Sequence, residues 1–302
     1  MFRFRTTILL FLLPVVSAGI AGCVKIGGAP AVTEPSIGAV PAPTSLADYP
    51  LPLAAYQING DDNAVIGRAR GILVQECMRR AGFVDYTAPV PARQSAPDGP
   101  DEFGYLDERR AATYGFHDPR TLADKSAPPS QPTGSADTPA QIAALSGTAA
   151  PGSGVAPAGQ VPPGGCVADA DRRFREGLKV ADRPLVTDLA QQADGRTTRD
   201  SRVVAATRAW ATCMRQAGYA YRTPADPVGE QWAAEPTPTE LAIAGADVVC
   251  TKGTNLPGIA MAVLAAIERD QVAQHRAALA ADRATVDEQV RKANRIIAGG
   301  TG

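Results

Sequence analysis

One seven-residue segment recurs in this chain with five identities: Cys77-Met78-Arg79-Arg80-Ala81-Gly82-Phe83 returns as Cys213-Met214-Arg215-Gln216-Ala217-Gly218-Tyr219. The recurrence indicates two related units, and the residues around it run at helical spacing. In the second unit Val203, Ala206, Trp210, Cys213, Met214 and Ala217 recur at steps of three and four, which places them on one face of a helix that Gly218 stops with a left-handed cap. In the first unit Val74, Cys77 and Ala81 share a face and Gly82 is the stop. That helix is expected to start near Asp61 to Asn63, where short polar side chains cap, although Gly67, Arg70 and Gly71 weaken its pattern. Met78 and Met214 lie beside the cysteines on the apolar side and read as core rather than as a ligand surface.

The five cysteines of the 302 residues do not all belong to this scheme. Cys23 stands behind Ile20, Ala21 and Gly22, and the N-terminus runs from Met1 to Arg5 with two arginines into 19 uncharged residues, Thr6 to Val24. That is the order of a secretory signal. A bilayer span of about 20 apolar residues is the alternative, but Pro14 interrupts the run and Ser17, Ala18, Gly19, Ala21 and Gly22 suit a peptidase groove. The segment Ile20 to Cys23 resembles a bacterial lipobox, which implies acylation of Cys23 and a stable anchor of two or three chains. Cys77, Cys166, Cys213 and Cys250 then remain, an even number facing an oxidising compartment, so two disulfides are expected. Four cysteines allow three connectivities, and the internal repeat prefers Cys77 with Cys166 and Cys213 with Cys250. A thiol nucleophile or zinc site is the lesser alternative, since no CxxC occurs and the histidines are only His117 and His275.

Aromatic residues are 5% of the chain and its apolar content is mostly alanine, so the core is expected to be thin and built from close helix packing. Removal of residues 1–22 leaves about 280 residues, with 28 basic against 31 acidic side chains. Such a balance excludes nucleic acid and polybasic attraction to anionic lipid.

Thr237-Pro238-Thr239-Glu240 reads as a capping box that opens a helix from Pro238 to about Lys252, carrying Cys250 in its last turn opposite Cys213. After a turn at Gly253 to Asn255, one helix of roughly 65 Å is expected from Leu256 to about Ala298. Its apolar face, Ile259, Val263, Ala266 and Ile267, fades after Asp270, so the far half reads as a solvated arm or coiled-coil partner. Deleting Asp282 to Gly302 is then expected to leave the fold intact. Shorter helices are expected over Tyr105 to Phe116, Val167 to Glu176 and Leu185 to Ala193. Pro, Ala and Gly dominate Gly27 to about Ala47 and Lys125 to Gly165, which read as disordered, with at most a short helix after Thr138-Pro139. The expectation is thus an all-α, disulfide-stapled helical repeat. It has a signal peptide (1–22), a lipid-anchored flexible tether (23–60), a first helical unit (61–124), a low-complexity insertion (125–165) and a second unit with the long C-terminal helix (166–302).

The paired Cys-Met-Arg-x-Ala-Gly-aromatic segments, Tyr114-Gly115-Phe116, the Pro-Thr-Glu capping box before Ala246-Asp247-Val248-Val249-Cys250 and the long helical tail resemble secreted lipoproteins of high-GC Gram-positive bacteria. The resemblance runs from Ile66 onward, implies an envelope location and carries no activity with it. The chain departs from that pattern in having Ala260 and Met261 where an aromatic pair is expected.

Chemical motifs are scarce. There is no HExxH and no GxSxG, and the phosphate-loop spacing of Gly253 and Gly258 ends in Ile259 and Ala260 where a lysine and a hydroxyl are required. Asp101, Glu102, Asp107 and Glu108 could provide the carboxylate pair of a glycan hydrolase, against the plainer reading of solvated acids at a helix start. His117-Asp118 reads as a surface pair, and Asp169 and Asp171 beside Arg172 and Arg173 as an ion-paired helix face rather than a metal site. No catalytic residue, metal or cofactor is assigned. The sequence favours a non-enzymatic binding module, lipid-anchored on the outer face of the cytoplasmic membrane and facing the wall, with an envelope protein or wall polymer as partner. The alternative is a cell-wall glycan hydrolase using the acids near Glu102 and Asp107.

Overall fold

The computed structural model describes residues 33–46, 49–89, 102–119, 122, 137–149, 161–179 and 184–299. The signal segment and Cys23 lie outside them, as do 90–101, 123–136 and 150–160. The chain divides into two units, Met1–Glu34 and Pro35–Gly302. Only Thr33 and Glu34 of the first are described, so the fold below is that of the second.

Among the described residues the fold is all helical, with two disulfides. A 3-10 turn at Pro52–Tyr56 precedes α1 (Gly60–Arg80), α2 (Glu108–Tyr114), α3 (Pro139–Ser146), α4 (Gly165–Arg175) and α5 (Leu185–Thr197). Then come α6 (Ser201–Gln216), the single turn α7 (Ala225–Val228), α8 (Pro238–Thr254) and α9 (Leu256–Ile297). Several ends follow from local chemistry. Asn59 and Asp62 form a reciprocal capping box at the start of α1, as do Thr138 with Gln141 for α3 and Thr237 with Glu240 for α8. A lone left-handed residue, Asn255 (φ 50°), separates α8 from α9, so α8 runs through Gly253 and Thr254 before the chain turns.

The repeated segments end alike, atom for atom. The amides of Ala81 and Ala217 donate to Cys77 O and Cys213 O, and those of Phe83 and Tyr219 to Met78 O and Met214 O, all within 2.9 to 3.0 Å. Gly82 and Gly218 take φ of 97° and 96°, which only glycine adopts cheaply. Both methionines are fully buried. The bridges are Cys77–Cys166, with Cα atoms 5.5 Å apart, and Cys213–Cys250, at 5.6 Å. The likeness stops at the partner helices. Cys166 sits in the first turn of α4, whereas Cys250 sits in the last turn of α8, so the two staples engage their partners from opposite ends. Closing loops 89 and 37 residues long, the bridges contribute roughly 4 kcal/mol each in the chain-entropy account.

Packing redraws the expected boundaries in three places. Residues 102–119 do not complete a unit with α1. Tyr105, Ala111 and Phe116 pack instead on Ala244 and Val248 of α8, and Phe103 enters the main core around Trp210. The tether expected up to residue 60 is packed from Pro35 onward wherever it is described. Ile37, Leu46, Tyr49 and Leu51 lie against the main core, and the Pro35 and Pro41 carbonyls accept from Arg202 and Asn255 at 3.0 and 2.8 Å. Proline-rich extended chain has few amides to satisfy and free carbonyls to offer, so it docks without a sheet. Within the expected insertion, α3 buries Ala143 and Ala144, the latter beside the first disulfide.

A further correction concerns α9. Its near half is core: Leu256, Ala260, Val263 and Ile267 are all under 2% exposed. At His275 the backbone leaves helical geometry (φ −114°, ψ 18°). The far half is no solvated arm. Leu279 joins Leu53, Val186 and Leu189, while Ala293 and Ile296 join Ile66, Leu73 and Phe174. Polar side chains on the same face end on backbone groups of other elements. Asp282 accepts from Val186 N at 3.1 Å, supplying the cap that Pro184 cannot give to α5. Arg283 reaches Gln57 O and Asp62, both at 3.0 Å. Lys292 Nζ donates to Arg173 O and Glu176 O, at 2.9 and 2.6 Å, where α4 ends. No single described helix is long and apolar enough to cross a membrane. The pair α8–α9 passes that test only together, bent by 57°.

Deleting 282–302 is therefore expected to destabilise the protein. A milder test is Leu279→Ala, which removes a side chain with no exposure and is expected to cost about 2–5 kcal/mol in urea denaturation. A loss below about 0.5 kcal/mol, the range of ordinary surface changes, would return the far half of α9 to solvent.

Candidate functional site

The far half of α9, the start of α5, the chain after the 3-10 turn and the end of α4 enclose a cleft of about 570 Å³, within the several hundred Å³ usual for small-molecule sites. Each wall has a local cause. Val186 and Ala190 lie on α5 one turn apart, Val286 comes from the inward stripe of α9, and Tyr56 and Ile58 from the chain leaving the 3-10 turn. Ile58 is 40% exposed, which is unusual for a residue of its size. Three cations also line the cleft: Arg70 from α1, Arg175 at the end of α4, and Lys179 just beyond it.

These cations differ in their engagement. Arg70 lies with Cζ 5.1 Å from the centre of the Phe174 ring and Nε 3.2 Å from Asp171 Oδ1. Arg175 and Lys179 are exposed and have no ion-pair or hydrogen-bond partner among the described residues. The opposite charge on the lining, Asp282, already accepts from Val186 N. Gln289 is 8% exposed, and its carboxamide makes one long bond, Nε2 to Thr285 O at 3.5 Å.

The acids singled out from the sequence are given separate tasks. Asp107 caps α2, accepting from Arg110 N at 3.0 Å, and Glu108 pairs with Lys252 at 2.7 Å. Glu102 faces elsewhere. Desolvation, with the charge of Asp194 behind it, holds its carboxyl above the usual glutamate range. Asp101 lies outside the described residues. Asp169 pairs with Arg80 and Arg172, and Asp171 with Arg70. Among the described residues no group of three or more His, Cys, Asp or Glu is placed to hold a metal ion.

The sequence places His117 at the surface beside Asp118, whereas in the structure its side chain is only 14% exposed. Nδ1 lies 2.8 Å from Glu240 Oε1 and Nε2 lies 2.8 Å from Ala233 O. Glu240 has no exposure and also accepts from Phe116 N at 2.8 Å. Gly115, with φ 56°, stands where any side chain would meet that carboxylate. The ring of Phe116 stacks on Trp232 at 5.5 Å. One buried acid thus caps α8 and clamps residues 115–117 onto it. No protein family, curated protein or solved structure matches the chain, so the site stands on its own geometry.

Burial disfavours charge on His117, but the Ala233 carbonyl and the Glu240 carboxylate outweigh it and raise the pKa above the ordinary value of about 6.5. A raised folded-state value means that the imidazolium stabilises fully below the unfolded value, and that this stabilisation is lost as pH rises through the folded one. His117 is therefore expected to titrate above pH 6.5 by NMR. Stability should fall on going from about pH 6 to 8 more steeply than in His117→Gln. A midpoint below 6.5 would contradict the pairing.

Proposed function

We propose that the protein is a non-enzymatic binding module of the cell envelope, acylated at Cys23, held on the outer face of the cytoplasmic membrane and facing the wall, with the cleft as its capture surface. The observation that carries this reading is the cleft itself: an apolar hollow bordered by two cations that have no ion-pair or hydrogen-bond partner among the described residues. Two disulfides fit an oxidising compartment. The lipobox resemblance of Ile20 to Cys23 supplies the anchor, and envelope proteins or wall polymers are the partners within reach of it. The competing reading, a wall glycan hydrolase, has one observation in its favour, the raised carboxyl of Glu102, as a general acid requires. Against it, Asp107 is spent as a helix cap.

Two measurements test the proposal. Replacing Cys23 with serine is expected to abolish incorporation of labelled palmitate and release the protein from membranes; unchanged labelling would remove the anchor. A photoreactive residue at Thr187, exposed on the cleft wall, is expected to crosslink a ligand in intact cells, whereas the same group at Val84, 67% exposed and outside the cleft, is not. Capture at Val84 alone would move the binding surface elsewhere.

A further inference from the structure

The lining of the cleft specifies a ligand class. Its apolar part, Tyr56, Ile58, Val186, Ala190 and Val286, is contributed by three separate elements and offers apolar walls to a hydrocarbon chain. Each methylene buried there contributes about 0.8 kcal/mol. Such a surface left open to water is unfavourable, and an aliphatic occupant relieves that.

The lining also carries neutral polar side chains on α5 and α9, but its cations come from α1 and from the end of α4 and the chain just beyond it. Arg175 ends α4 and Lys179 lies four residues further on, both without an ion pair among the described residues, and Arg70 stands on the same lining. The guanidinium of Arg70 is held against Phe174 with Nε 3.2 Å from Asp171 Oδ1, and its terminal nitrogens make no hydrogen bond among the described residues. Those nitrogens form the fork that matches a pair of phosphate oxygens. Three cations around one hollow exceed what a single carboxylate needs and match a group with three acceptor oxygens and up to two charges. The single acid on the lining, Asp282, offsets only one of the three positive charges, and its Oδ2 accepts from the Val186 amide. Gln289, nine-tenths buried and with Oε1 free of any hydrogen bond among the described residues, adds a polar contact at the α9 wall for the ester or hydroxyl region of such a molecule.

We propose that the cleft binds a single-chain lipid phosphate, with the acyl chain between α5 and the far half of α9 and the phosphate between Arg70, Arg175 and Lys179. This rests on the reading of the cleft as the capture surface. No bond is made or broken. The protein holds the chain out of water and neutralises the head group, which is what a carrier or sensor of lysophospholipids requires.

Native mass spectrometry of the full-length protein, titrated with 1-oleoyl lysophosphatidate below its micellar concentration, provides the test. A one-to-one adduct is expected. Oleate and lysophosphatidylcholine should bind about tenfold more weakly, and inorganic phosphate should give no adduct. Arg175→Glu and Lys179→Glu alter exposed side chains outside the core and should each weaken the lysophosphatidate adduct about tenfold while leaving thermal unfolding unchanged. Ala190→Trp, which fills the hollow, should abolish it. Equal binding of oleate and lysophosphatidate, or an adduct indifferent to both charge reversals, would overturn the phosphate assignment. If the crosslinker at Thr187 captures a peptide or glycan and lysophosphatidate does not bind, the lipid inference fails and the capture surface stands. If Thr187 captures nothing, the capture surface itself fails.

Discussion

One helix completes the backbone hydrogen bonding of several others. A helix leaves its first amides and last carbonyls without internal partners, and a buried group so abandoned costs about 1–3 kcal/mol. Local caps meet many of them in this chain, and α9 side chains tie several further backbone groups of other elements. Glu268 accepts from Leu53 N in the 3-10 turn, and Gln271 donates to Leu189 O of α5. Asp282 caps the start of α5, Arg283 ties Gln57 O and Asp62 at the start of α1, and Lys292 closes the end of α4. Burial leaves Glu268 with a raised pKa, which the Leu53 amide opposes. These contacts explain why charged side chains sit at low exposure along a helix whose apolar content is modest.

The arrangement suits a chain poor in aromatics. Apart from the main core around Trp210 the hydrophobic clusters are small, and alanine supplies many of their members. Close approach between helices is possible, but apolar area per residue is low, so cross-links and polar ties carry more of the stability than in a core rich in leucine and phenylalanine. The two disulfides staple the repeated helices to α4 and α8. At the centre, fully buried Trp210 donates to Asp247 at 2.9 Å, and Thr251 does so at 2.8 Å. Tyr105, whose phenol burial pushes up to about 12, is thereby kept neutral in the same region.

What could be read from the residues was local. Glycine stops after Cys-Met-Arg-x-Ala and the Thr-Pro-Thr-Glu box act within a few residues of themselves, so α6, α8 and their neighbours were legible, as was the short helix after Thr138. What escaped was set by long-range packing. Leu279, Val286 and Ala293 do repeat at steps of seven, the one signal for a buried far half of α9. Interleaved Asp282, Gln289 and Lys292 obscured it, because a charge facing water and a charge facing another helix's carbonyl look identical in sequence. His117 and Glu240 are 123 residues apart, and no spacing rule connects them. Nothing in the sequence sets Arg175 and Lys179 apart from other charged residues, and only the fold shows that they border a hollow with Arg70.

The same far half of α9 stabilises the protein and builds one wall of the cleft, so fold and capture surface share their residues. Amide hydrogen exchange along α9 tests that most directly. If the helix is docked throughout its length, the amides of 279–296 exchange as slowly as those of 259–267, in the native protein without ligand. Exchange of the far half at the rate of an unstructured peptide, with the near half protected, would show an undocked arm and contradict both the account of the fold and the cleft that depends on it.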